Sequence, residues 1–166
     1  MAREIDLVET VDQIERVAEL ARQIWLKHYS PIVGRDQVEY MLQKFQSSTA
    51  IAEQINNGYE YYLISARPGF VGYMALVHEA ERNRLNLSKL YILEEKRGGG
   101  YGTALLCRAM ERGKQLGLEK ITLRVNKHNK NSINWYKERG FVYAESSKKS
   151  IGSGYYMDDY IMQLSL

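Results

Sequence analysis

One cysteine, two prolines and three histidines are all that 166 residues hold of these types, and each scarcity removes a class of explanation. With Cys107 alone, no disulfide can form within the chain, and its neighbours Ala104, Leu105 and Leu106 predict a small core residue on a helix. Two prolines leave no Pro-rich linker, and no repeat or low-complexity segment divides the chain. His28, His78 and His128 lack ligand-like spacing, so no metal is expected. No uncharged apolar run approaches the length of a membrane span, and Met1-Ala2-Arg3-Glu4 does not read as a secretory leader, so a cytoplasmic protein without a membrane partner is expected. Basic residues are dispersed, with Lys148-Lys149 the only adjacent lysine pair, which argues against nucleic acid as a partner.

What is present suits one globular domain over 1–166, with 45% apolar and 26% charged residues. The net charge of +3 hides an asymmetry. Residues 1–60 carry six Lys or Arg against ten Asp or Glu, and residues 61–166 carry seventeen against ten. The basic part favours an anionic ligand and the acidic part a cationic one.

Periodicity predicts alternating elements. Ile5–Val8 reads as a strand, and Thr10 caps a helix whose Ile14, Val17, Ala18, Ala21, Ile24 and Trp25 form one stripe ending near Ser30-Pro31. Helical segments follow over Asp36–Phe45 and Thr49–Ile55, then a hairpin of Tyr59–Ala66 and Phe70–Val77. A strand over Leu85–Leu93, a helix over Thr103–Leu116, a strand over Lys120–Val125 and a helix over Lys130–Arg139 come next. Phe141–Ala144 and Tyr155–Leu164 are the last strands, with Ile151-Gly152-Ser153-Gly154 as the turn region between them. This order indicates an α/β fold with a mixed sheet.

Between the Leu85–Leu93 strand and the next helix lies Arg97-Gly98-Gly99-Gly100-Tyr101-Gly102. Three glycines make a flexible turn, and they also let successive N–H groups converge on phosphate oxygens at a helix N-terminus, beside the charge of Arg97. Thr103-Ala104 after Gly102 excludes a phosphate-clamping loop that ends in lysine and a hydroxyl. A dinucleotide fold would place an acid at the end of the next strand, whereas Glu119 opens it.

A second constellation follows: Asn129, Ser132 three on, Tyr136 seven on, and Gly140-Phe141. Together with Arg97–Gly102 it resembles the GNAT superfamily of CoA-dependent N-acyltransferases, over most of the chain. Leu90-Tyr91-Ile92, the run Trp135–Phe141 and Asp158–Met162 look most like the bacterial spermine/spermidine acetyltransferases.

The resemblance implies a mostly antiparallel sheet of about seven strands with four to five helices, splayed at its centre to admit CoA. It implies that Leu90, Tyr91 and Ile92 pair with the pantetheine arm, that Arg97, Gly98, Gly99, Gly100, Tyr101, Gly102 and Thr103 hold the pyrophosphate, and that Asn129 bonds the arm. Tyr136 is the implied catalytic residue, aimed at the thioester sulfur. The implied reaction is acetyl transfer from acetyl-CoA to a primary amine by direct attack, without metal. A backbone N–H near Ile92 would hold the oxyanion, worth about 10² to 10³ in rate.

The acceptor implied is a polyamine or other small cationic amine, with a protein N-terminus or lysine as the alternative; a homodimer is left open. Tyr29, Glu39, Tyr40 and Asp158 are candidates to meet the amine. An amine of pKa near 10.4 is neutral in about one molecule in 2,500 at pH 7, so its proton must go somewhere. Where relatives carry a glutamate, this chain has Asn86-Leu87-Ser88-Lys89 and Arg124. His78 and Glu79 are candidate bases by chemistry alone, and a water chain to solvent is the expected route. The missing carboxylates also keep open a CoA-binding regulatory module with little catalysis.

Overall fold

The computed structural model describes residues 3–166. Among them are seven strands in one sheet and five α-helices. In chain order these are β1 (Glu4–Leu7), α1 (Val11–Val33), α2 (Arg35–Phe45), α3 (Ser48–Asn56), β2 (Glu60–Ala66), β3 (Gly69–Glu79), β4 (Arg84–Ile92), α4 (Tyr101–Gln115), β5 (Lys120–Asn126), α5 (Lys130–Glu138), β6 (Val142–Gly152) and β7 (Tyr155–Ser165). The sheet order is β1-β2-β3-β4-β5-β7-β6, and every neighbouring pair is antiparallel except β4–β5. Among the described residues no helix is long and apolar enough to cross a membrane.

Strand alternation gives the sheet two apolar faces, and each is covered by helices. On one face Leu105, Leu106 and Ala109 of α4 and Ile133 of α5 pack on Ile64, Met74, Leu85, Ile121, Leu123 and Met162. On the other Val17, Ala21, Ile24, Trp25 and Tyr29 of α1, with Val38 and Met41 of α2, cover Leu63, Tyr73 and Ala75.

The α1 start follows from a capping box. Thr10 Oγ1 accepts the Gln13 N–H at 3.2 Å, and Gln13 Oε1 accepts the Thr10 N–H at 3.0 Å. Its end corrects the expectation at Ser30-Pro31, because the helix runs on to Val33 and closes with the Gly34 N–H on Ser30 O at 3.0 Å. Pro31 lies in the last turn on the exposed side, where a missing donor and a rigid ring are tolerated.

Two further expectations are overturned. Cys107 is exposed, since the buried stripe of α4 is Leu105, Leu106, Ala109 and Gly113, and residue 107 falls on the opposite side. Strand β6 is far longer than Phe141–Ala144 and extends to Gly152. As the sheet edge it pairs with β7 alone, so its exposed, polar residues 145–150 carry no alternation to read.

Candidate active site

The centre of the sheet does not close. Strands β4 and β5 pair only from Arg84–Leu87 against Lys120–Leu123, although β4 continues to Ile92 and β5 to Asn126. A register shift on the β3 side places Ala75 opposite Lys89 and Leu76 opposite Leu87, leaving Ser88 as the extra residue where β4 turns away. Such a bulge bends the strand that carries it.

Strand β4 consequently presents a free edge to the gap. Leu93 donates to Val71 O at 2.8 Å, so alternation makes Tyr91 and Tyr73 the next bonded pair. Leu90 and Ile92 then direct their N–H and C=O groups away from β3, into the gap. Gly72 opposite Ile92 is required here: a Cβ would lie 2.5 Å from Tyr91 O and 2.5 Å from Ile92 Cδ1.

The glycine loop opens at the mouth of this gap. Gly98 and Gly100 have φ of 81° and 82°, the left-handed region that glycine enters without strain. No side chain caps α4, and its first bond runs from Ala104 N to Gly100 O at 3.0 Å. The N–H groups of Tyr101, Gly102 and Thr103 therefore have no partner among the described residues. Arg3 donates to Gly99 O and lies 5.1 Å from the Tyr101 ring centroid, fixing the back of the loop.

A cavity of about 560 Å³ joins gap and loop. Leu90, Tyr91, Ile92, Arg97, Gly98, Gly100, Tyr101, Gly102, Thr103 and Tyr136, all singled out in the sequence, line it. Gly99 and Asn129 do not. Asn129 is buried at the start of α5, where its Oδ1 accepts the Ser132 N–H at 3.3 Å and its Nδ2 lies 2.9 Å from His28 Nε2.

The rest of the wall is His28, Lys96, Asn131, Ser132, Trp135 and Arg139; Ser132 belongs to the motif read from the sequence, and the other five had been given no role in the site. Arg139 stacks 3.7 Å over the Trp135 ring and donates to Trp135 O at 2.9 Å and to Thr103 Oγ1 at 3.3 Å. Lys96, Arg97 and Arg139 thus put three cations around one helix N-terminus. Positive charge close to a glycine loop was the signal available. Folding was needed to show which of the seventeen basic residues in this part converge.

Burial sets the electrostatics. Tyr29 and Tyr91 share a hydroxyl hydrogen bond of 2.8 Å, and burial pushes the Tyr29 phenol up to about 12. Burial also drives the Tyr136 phenol above its ordinary value, with Tyr29 adding to the rise, so Tyr136 stays protonated. Burial and the Arg97 charge lower the His28 imidazolium, which keeps this ring neutral.

Other candidates are already engaged. Glu39 forms two 2.9 Å bonds with Arg22, Tyr40 donates to Ile151 O at 2.6 Å, and Asp158 lies 2.9 Å from Lys127 Nζ. Glu79 pairs with Arg84 at 3.2 Å, seven residues down β4 from Tyr91 and so roughly 23 Å along the strand. His78 lies beside it at the wrong end of the sheet.

The sheet is thus splayed between its two parallel strands, with an uncapped, cation-ringed helix N-terminus at the mouth of the gap. The chain belongs to the Acetyltransferase (GNAT) family, which it matches over residues 15–141. Uncharacterized N-acetyltransferases of Mycobacterium tuberculosis and Mycobacterium bovis are 26% identical to it over 133 residues, 80% of this chain and 84% of theirs. The PaiA N-acetyltransferase from Thermoplasma acidophilum, solved in complex with coenzyme A, matches 100% of both chains with a TM-score of 0.84 and 23% identity. A GCN5-related N-acetyltransferase from Rhodopseudomonas palustris matches 100% of this chain and 97% of its own, with a TM-score of 0.84 and 16% identity. At these identities the two structures share the fold.

Proposed function

We propose that this chain transfers an acetyl group from acetyl-CoA to the primary amine of a small cationic acceptor, a polyamine being the leading class. The unpartnered N–H groups of Tyr101, Gly102 and Thr103, ringed by Lys96, Arg97 and Arg139, carry the reading. Their chemistry fits a pyrophosphate, and the adjoining gap is lined by strand-edge N–H and C=O groups that fit an amide-bearing arm, the Ile92 carbonyl accepting from Arg97 Nε at 3.4 Å. A volume of about 560 Å³ is in the range of cofactor sites.

When bound, acetyl-CoA supplies the activated acyl group. The residues of this chain position it and manage charge. Leu90 and Ile92 bond the arm as an added strand, Arg97 and the glycine loop fix the phosphates, and the Ile92 N–H is the donor for the carbonyl oxygen. Tyr136 offers its hydroxyl proton to the sulfur. A phenol raised by burial is a poor proton donor, so Tyr136 acts first through its hydrogen bond. Asn129 acts through its bond to His28, holding the α1 side of the cavity against α5.

The acidic balance of residues 1–60 supports a cationic acceptor. Product analysis with spermidine, spermine, free lysine and peptide N-termini tests this: acetylated polyamine is expected, and turnover confined to peptide N-termini would overturn the polyamine class.

A further inference from the structure

We infer that Asp159 is the carboxylate that attracts the ammonium of the acceptor and takes its proton. The inference rests on the acyl-transfer reading above and names the proton acceptor that the missing glutamates left unassigned.

Asp159 is 2% exposed, and its Oδ1 has no hydrogen-bond partner among the described residues. Neither neighbouring cation forms an ion pair with it, although both act on its charge through space. Arg124 donates to Ser147 Oγ at 2.7 Å, and Lys127 Nζ lies 2.9 Å from Asp158 Oδ1. A buried carboxylate without a counterion is costly in a finished fold, and an arriving ammonium group would supply the missing partner.

Asp159 is not part of the cavity wall described above, and the strand register gives its place relative to the gap. Asp159 sits on β7 opposite Asn126, the last residue of β5, beyond the point where β5 loses its pairing with β4. Tyr160 and Met162 pack towards α4 and α5, so alternation turns Asp159 to the other face, the one that carries Tyr29 and Tyr91.

Burial raises the carboxyl to about 6; Arg124 and Lys127 oppose the rise and Asp158 adds to it, while Tyr29 faces the group from α1. The gap in pKa to an ordinary ammonium group thereby narrows from about 6.5 to about 4.5. In the proposed step one proton moves from the ammonium to Asp159 and frees the nitrogen lone pair. The C–N bond then forms, the C–S bond breaks, the second nitrogen proton leaves with the thiolate, and Asp159 returns its proton to solvent.

The test compares two acceptors at pH 7.5 in Asp159→Asn: the fastest ammonium acceptor found for the wild type among spermidine, lysine and an N-terminal peptide, and hydroxylamine, whose nitrogen is already neutral. With the ammonium acceptor kcat is expected to fall about 100-fold or more, with hydroxylamine less than about 5-fold, and the acetyl-CoA Kd should stay within about 2-fold. An equal loss with both acceptors, or no loss, overturns the inference. A wild type that turns over no amine ends the acyl-transfer reading and this one with it, whereas an active wild type with an equally active variant ends this one alone. Should the variant not bind acetyl-CoA, the wild-type pH profile decides. An acid limb in kcat/KM well above the usual carboxylate range is expected, and a flat profile down to pH 5 contradicts the assignment.

Discussion

Asn129 Nδ2 lies 2.9 Å from His28 Nε2 and ties the end of α1 to the start of α5 across the cavity. Because Asn129 Oδ1 accepts the Ser132 N–H, the amide nitrogen is the donor, and His28 Nε2 accepts only while the ring is neutral. Burial and Arg97 keep it so.

His28→Ala should therefore weaken acetyl-CoA binding about 5- to 10-fold at pH 7.5, the scale of one lost hydrogen bond. The sign of its pH effect is fixed: an imidazole lowered by folding makes the unfolded chain the stronger proton binder. Stability falls as pH drops below about 6.5, and the variant should lose that part of the slope. Calorimetric titration and thermal melts between pH 5 and 8 measure both.

Asp159→Asn should make the protein more stable at pH 7.5 while slowing it. The raised carboxyl holds its proton more tightly in the folded state, so its contribution is full below about pH 4 and is lost as pH rises through about 6. Removing the charge should recover about 1–3 kcal/mol at pH 7.5 and little at pH 4, read by urea denaturation at both values.

Much of this site was legible before folding, and the reason is local. A glycine loop and a cap asparagine act through backbone geometry close to themselves in sequence, so Arg97–Thr103 and Asn129–Phe141 could be read directly. Asp159 could not, since its meaning comes from burial beside Tyr29, which lies far away in the chain, and from the commitment of Arg124 and Lys127 to other partners. Glu39, Tyr40 and Asp158 looked available as types, and each proved to be bound. The full length of β6 is not legible in the sequence, because an edge strand held by backbone pairing needs no apolar alternation.

Tyr136→Phe should reduce kcat about 10- to 100-fold and leave the acetyl-CoA Kd nearly unchanged, because only the hydroxyl near the sulfur is removed. Rapid-mixing single turnovers separate this loss from product release.

Gly72→Ala should cost about 1–3 kcal/mol and weaken acetyl-CoA binding, because the new methyl meets the Tyr91 carbonyl, which is backbone and cannot yield cheaply. Gly69→Ala, where a Cβ meets nothing within 4 Å, is the control and should stay within about 0.5 kcal/mol.

The most direct test is the initial rate of CoA thiol release from acetyl-CoA across a panel of amines, run beside a CoA titration of the same preparation. Sub-millimolar CoA binding is expected, with a release rate that rises with a cationic amine and saturates. Tight CoA binding with no amine-dependent thiol release would contradict it and leave a CoA-binding module in its place.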